Sequence, residues 1–223
     1  MAAPDSSQQA DPAVPGPPAV VSERFPEQRP LLERYAEWLA GPGTVRGLMG
    51  PREVPRLWDR HLLNSVALAE LVPADVRLVD IGSGAGLPGL AVAIVRPDLR
   101  VDLVEPLLRR ATFLTEAVAD LGLSDRVRVV RGRAEEPAVR ARVGGVEYLT
   151  ARAVAPLDRL VRWSFPLLAK GGTLLAMKGS SVEAELAEHG QVLRKLRAEV
   201  TGVAECGLGL VDPPTRVIRV VRR

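Results

Sequence analysis

The chain has 223 residues, 47% apolar but only 4% aromatic, which fits one α/β domain with a modest extension and a core of Val, Leu, Ile and Ala. A single cysteine, Cys206, excludes an internal disulfide and a cysteine-cluster metal site, and points to a reducing, cytoplasmic compartment. The net charge of +3 is carried mostly by arginine, which permits nucleic-acid binding, although a GC-rich coding sequence accounts for the same bias.

No stretch reaches the roughly 18 consecutive apolar residues of a membrane span, and the amino terminus lacks the basic-then-apolar pattern of a secretory signal. Residues 1–21, rich in Pro, Ala, Ser and Gln, are expected to form a disordered tail. A helical cap is expected over 22–73, with amphipathic helices at 26–39 and 57–71 separated by a Gly/Arg/Pro loop. From 74 to 223 the rhythm changes. The apolar run 76–81 reads as a buried strand, followed by a glycine loop, a helix at 90–95, a strand at 101–104 and a helix at 107–121. Strands follow at 127–130 and 148–150, then a helix at 157–168. Gly171-Gly172 turns the chain into a strand at 173–177, and a charged helix covers 182–197. Two late strands, around 200–210 and 217–221, are joined by Asp212-Pro213-Pro214 and form an antiparallel hairpin. Alternating buried strands and helices predict a mostly parallel sheet covered on both faces. One sheet and a short cap suggest a monomer.

The loop Asp80-Ile81-Gly82-Ser83-Gly84-Ala85-Gly86 stands between a predicted strand and a predicted helix, where glycine allows close backbone approach to a ligand. A dinucleotide fingerprint would need glycine at position 87, which is Leu87. Gly-x-Gly-x-Gly after an acidic residue resembles the first motif of class I methyltransferases, whose cofactor is S-adenosylmethionine. Glu105, at the end of the next strand, is placed to accept both ribose hydroxyls; its ordinary alternative is capping the helix that follows.

A more specific resemblance rests on several runs together. They are Arg60-His61-Leu62-Leu63-Asn64-Ser65, Asp80 to Gly89, Ile94-Val95-Arg96-Pro97, Arg133-Ala134-Glu135-Glu136, Thr150-Ala151-Arg152-Ala153 and Met177-Lys178-Gly179. Over roughly residues 30–221 the chain resembles the ribosomal RNA small subunit methyltransferase G family, also called glucose-inhibited division protein B. The resemblance implies methylation of N7 of one guanine in 16S ribosomal RNA, within the small subunit or an assembly intermediate. It implies cofactor contacts from Asp80, Gly82, Ser83, Gly84, Gly86 and Leu87, a ribose contact from Glu105, and adenine contacts from Ala134 and Glu135. Arg152 would stand beside the methyl-transfer site as the catalytic residue and also touch the cofactor. Arg133, Arg216, Lys178 and His61 would meet the RNA. No metal is implied.

The residues agree mainly through what they lack. Guanine N7 carries no proton, so its methylation needs alignment and no general base. An Asn/Asp-Pro-Pro-aromatic motif for amino methylation does not follow the fourth strand, and Cys206 is far from any nucleophile position. Arg152 could hold guanine O6 or a phosphate but stays protonated; its bland alternative is a paired rim arginine. A methyltransferase acting on a small molecule or protein remains open at this level, as does an NAD-binding oxidoreductase, which Leu87 opposes. Trp58 could stack on a base or pack its helix.

Overall fold

The computed structural model describes residues 14–179 and 182–223; residues 1–13 of the expected tail lie outside them. Seven strands form one sheet: β1 Arg77–Ile81, β2 Arg100–Glu105, β3 Val127–Arg131, β4 Val146–Arg152, β5 Leu168–Lys178, β6 Ala198–Cys206 and β7 Thr215–Arg222. Their order is β3-β2-β1-β4-β5-β7-β6. The first five pair in parallel, and β7 runs antiparallel to both β5 and β6. The expected mostly parallel sheet with a late antiparallel hairpin is what forms.

Strands β3 and β7 are rich in β-branched residues, and β1 and β2 are buried along nearly their whole length because helices cover both faces. One apolar core lies on the face of α5 (Gly89–Val95) and α6 (Leu108–Asp120). The second lies on the face of α7 (Pro137–Val143), α8 (Leu157–Ser164) and α9 (Val182–Lys195). The cap comprises α1 (Ala19–Arg24), α2 (Arg29–Ala40), the single turn α3 (Pro42–Val45) and α4 (Leu63–Ala67). Leu32, Tyr35, Leu39 and Leu57 of the cap share the first core with Leu90 and Phe113, so the cap has no core of its own.

Several expectations need correction. Residues 14–21 do not behave as a free tail: Val21 is fully buried in α1, and the carbonyl of Pro15 accepts a 2.7 Å bond from Trp58 Nε1. One apolar side chain and one indole partner suffice, and composition hides both. Trp58 is itself buried and serves packing. The helix expected at 57–71 is broken into three pitches: a π-helical turn at Leu57–Leu62, α4, and a 3-10 turn at Leu68–Leu71. Strand β5 starts at Leu168 because Gly171-Gly172 sits in a bulge of the β4–β5 ladder rather than before the strand.

Candidate active site

The glycine loop leaves β1 at the carboxyl edge of the sheet, where doubly wound folds hold their ligands. Gly82, Gly84 and Gly86 have φ of 66°, 60° and 98°, conformations that cost a residue with a Cβ about 1–2 kcal/mol. Gly86 faces the core: a Cβ there would stand 2.7 Å from Tyr35 Oη. That hydroxyl donates a 2.7 Å bond to the carbonyl of Ala85, so α2 pins the loop from behind. Tyr35 is legible in the sequence only as an apolar helix position; its bond to the loop spans fifty residues.

Asp80 sits under the loop and is wholly buried. Its carboxylate accepts the Gly89 N–H at 3.1 Å, its carbonyl accepts the Ser83 hydroxyl at 2.9 Å, and burial raises its pKa to about 7. Asp80 therefore lines neither of the two hollows that the loop borders and shapes the loop from beneath, so the cofactor contact expected of it would be indirect. Glu105, 1% exposed, accepts the backbone N–H of Gly84 and of Leu107, each at 2.9 Å. The helix-side contact and the loop contact thus coexist. A carboxylate has about four acceptor sites, so two remain for a ligand.

A cleft of about 670 Å³ opens above the loop. Gly82, Ser83, Gly84, Leu87, Glu105, Arg152 and His61 line it, joined by Met49, Glu53, Arg60 and Arg110, which sequence reasoning missed. A smaller hollow of about 210 Å³ adjoins it, walled by Arg133, Ala134, Glu135 and Trp163. Gly82, Pro106 and Val154 border both. The expected cofactor residues other than Asp80 and Gly86 are thus brought together around two connected spaces. A Cβ on Gly82 would come 2.8 Å from Val154 Cγ2 at their junction.

Arg152, at the end of β4, does not point a free fork into the cleft. Its Nη1 donates to the carbonyl of His61 and the hydroxyl of Ser65, at 3.2 and 3.0 Å. Its Nη2 donates to the carbonyl of Arg60 at 3.0 Å and to His61 Nδ1 at 3.2 Å. A guanidinium has five N–H donors, so only Nε–H is left over. The acceptors exist because the π-helical turn disturbs the usual carbonyl pairing. Asn64 Nδ2 and Ser65 Oγ take up the neighbouring carbonyls of Asp59 and His61, at 2.5 and 2.7 Å. Next to it, Ala153 is held at φ 53°, a strained turn out of β4.

His61 is fully committed. Its Nδ1 accepts from Arg152, which places the ring proton on Nε2, and this nitrogen donates to Glu53 Oε2 at 2.7 Å. Burial lowers its pKa, outweighing the carboxylate of Glu53, and the imidazole is neutral. The bond from His61 in turn lowers the pKa of Glu53.

Two expected RNA contacts are occupied otherwise. Lys178 Nζ donates to the carbonyl of Ala155 at 2.8 Å and to Glu185 Oε1 at 2.7 Å, tying β5 to α9. Arg216 forms a forked pair with Glu183, which raises its pKa. Neither lines the cleft. Arg133 is exposed at the lip of the smaller hollow, as an RNA contact would require.

Sheet order, antiparallel last strand and a glycine-loop cleft at the carboxyl edge define a class I methyltransferase. The same fold recurs in an O-methyltransferase of neocarzinostatin biosynthesis crystallised with S-adenosylmethionine, at a TM-score of 0.59 and 18% identity, over 82% of this chain and 57% of that one. It recurs in Aeropyrum pernix fibrillarin, at a TM-score of 0.54 and 22% identity, over 74% and 76% of the two chains. The family model for rRNA small subunit methyltransferase G matches residues 28–211, and the chain belongs to that family. It is 53% identical to the Ribosomal RNA small subunit methyltransferase G of Salinispora arenicola (strain CNS-205) over 94% of this chain and 89% of that protein. Identity to the Mycobacterium marinum (strain ATCC BAA-535 / M) protein of the same name is 55%, over 86% and 83% of the two.

Proposed function

We propose that the chain binds S-adenosylmethionine across the two connected hollows and methylates N7 of a guanine in 16S ribosomal RNA, presented in the small subunit or a precursor of it. The combined space falls in the usual range for ligand sites of this size. Gly82, Ser83, Gly84 and Leu87 would hold the methionine end, and the spare acceptor sites of Glu105 the ribose hydroxyls. Ala134 and Glu135 would flank the adenine in the smaller hollow. The bound cofactor supplies an electrophilic methyl carbon on a sulfonium.

The observation that carries the choice of acceptor is the state of the cleft wall. Three of its groups could act as bases: Glu53, His61 and Glu105. His61 has both nitrogens engaged, Glu53 accepts the His61 proton with a lowered pKa, and Glu105 holds two backbone N–H groups. With His61 and Glu53 paired to each other and the spare sites of Glu105 given to the ribose, the wall suits an acceptor atom that has a lone pair and no proton, which describes guanine N7. Alignment alone can then supply about 7–11 kcal/mol of the barrier. Arg60, Arg110 and Arg133 at the wall and lip, beside exposed Leu107, offer forks and an apolar step for a splayed nucleotide.

The test is methyl transfer from labelled S-adenosylmethionine to small subunits isolated from cells lacking the enzyme. Label in 16S RNA supports the reading; label confined to protein, or none, overturns it.

A further inference from the structure

A second cleft, of about 700 Å³, lies at the opposite, amino edge of the sheet. Five arginines line it, Arg77, Arg100, Arg126, Arg128 and Arg142, against two aspartates, Asp102 and Asp125. The parallel registers bring them together: Arg77 is opposite Arg100 across β1–β2, and Asp102 is opposite Arg128 across β2–β3. Arg142 arrives from the last turn of α7.

Structural work accounts for part of this charge. Asp102, 5% exposed at its side chain, accepts Arg77 at 2.6 Å and Arg128 at 2.7 Å. Both forks also donate to the carbonyl of Arg142, at 3.0 and 3.1 Å, and so close the carboxyl end of α7. Arg126 Nη1 donates to the carbonyls of Ala93 in α5 and of Arg96 just beyond it, at 2.7 and 3.4 Å. The same bonds hold the Arg77 and Arg128 guanidiniums side by side at little further entropic cost. The side chains of Arg100 and Arg142 are exposed and stand outside this network. Like charges so crowded repel one another, and a concave wall with an excess of guanidinium focuses a positive field. Asp125, exposed at the rim, offsets only part of it.

We infer that this amino-edge cleft is a second RNA site, which grips backbone phosphates of the substrate away from the guanine being methylated. This rests on the rRNA reading above and deepens it. The ligand class follows from the donors: planar arginine forks with no base-stacking aromatic on the wall suit phosphodiesters and carry no sequence information. The edges of the sheet are about 16 Å apart, a strand of five residues at about 3.3 Å each. One nucleotide cannot serve both sites, so the phosphates gripped here belong to RNA some nucleotides away from the target guanine, which the small subunit presents.

Arg100→Glu/Arg142→Glu changes only exposed side chains outside the Asp102 network. The salt dependence of binding to unmethylated small subunits is measured for this variant, for the wild type, and for the control Arg194→Glu/Lys195→Glu on α9. Wild-type methyl transfer is read on the same subunits. The expected result is a log K against log salt slope shallower by one to two units for the amino-edge variant alone. S-adenosylmethionine affinity, and binding to a stem-loop that carries only the target guanine, should be unchanged. An unchanged slope on subunits, or an equal change in the control, overturns the second site while leaving the enzyme reading intact. Absence of wild-type transfer overturns both.

Discussion

Removing the guanidinium of Arg152 separates two roles that sequence alone merges. Arg152→Ala deletes four bonds that fasten β4 to the π-helical turn and to Ser65. A hydrogen bond to a charged group contributes about 1.5–3 kcal/mol, but bonds sharing one guanidinium are not additive, and two of the acceptors lie on His61. Together the loss should be about 3 kcal/mol, which for a chain of this size lowers the melting temperature by roughly 6–12 °C. Arg152→Lys keeps the charge and three donors, so it should recover part of that loss but not the fork across two carbonyls. Methyl transfer should fall with both variants because His61 and the turn shift against the cleft. Calorimetric unfolding, single-turnover transfer and cofactor titration on the three proteins give the answer. Lost transfer with a melting temperature within about 1 °C of wild type would refute this reasoning and return Arg152 to direct contact with the substrate.

Other positions give sharper signs. A Cβ on Gly89 would lie 2.6 Å from Asp80 Cβ and from Leu103 Cδ2, both inside the fold. Gly89→Ala should therefore cost about 1–3 kcal/mol by overpacking and weaken cofactor binding. At Gly84 the nearest atom is 3.8 Å away, so Gly84→Ala should show only the positive-φ cost; chemical unfolding of the pair ranks them, and equal losses would contradict the packing argument. Asp80 has a pKa raised to about 7 by burial, so between about pH 4 and 7 the folded chain holds a proton that the unfolded chain releases. Its contribution is full below about pH 4 and is lost as pH rises through 7, at up to about 1.4 kcal/mol per unit. Asp80→Asn removes this dependence, and its stability relative to wild type should improve from pH 5 to pH 8 in urea melts. A pH-independent difference would show that Asp80 is ionised throughout.

Backbone elements of the main sheet were readable because β1, β2 and β3 each carry a short Val/Leu-rich stretch bounded by Gly, Pro or charged residues. Helix α7 was missed: Val139 and Val143 are its only buried residues, and two arginines interrupt them. The π-helical turn at Leu57–Leu62 has no compositional mark, since a shift from i+4 to i+5 bonding changes no residue type. The cofactor wall was legible because glycine spacing and strand ends are local features. What was not legible is where long side chains go. Arg152 finds its partners about ninety residues earlier, while Lys178 and Arg216 turn to Glu185 and Glu183 on α9. Motif position put Arg152 at the methyl-transfer site and Lys178 and Arg216 on the RNA, while in the fold each is held by an intramolecular partner. Glu53 and Tyr35 were invisible for the converse reason, since each matters only through a contact made in the folded state.

The central claim concerns the atom that receives the methyl group. After transfer to unmethylated small subunits, reduction and aniline treatment of the 16S RNA cleaves the strand wherever guanine N7 is methylated, and a primer-extension stop marks the site. The account predicts one new stop at a single guanine, matching the label in amount and absent when S-adenosylmethionine is left out. Label that stays on uncleaved RNA, at an exocyclic amine or on a pyrimidine, would contradict it.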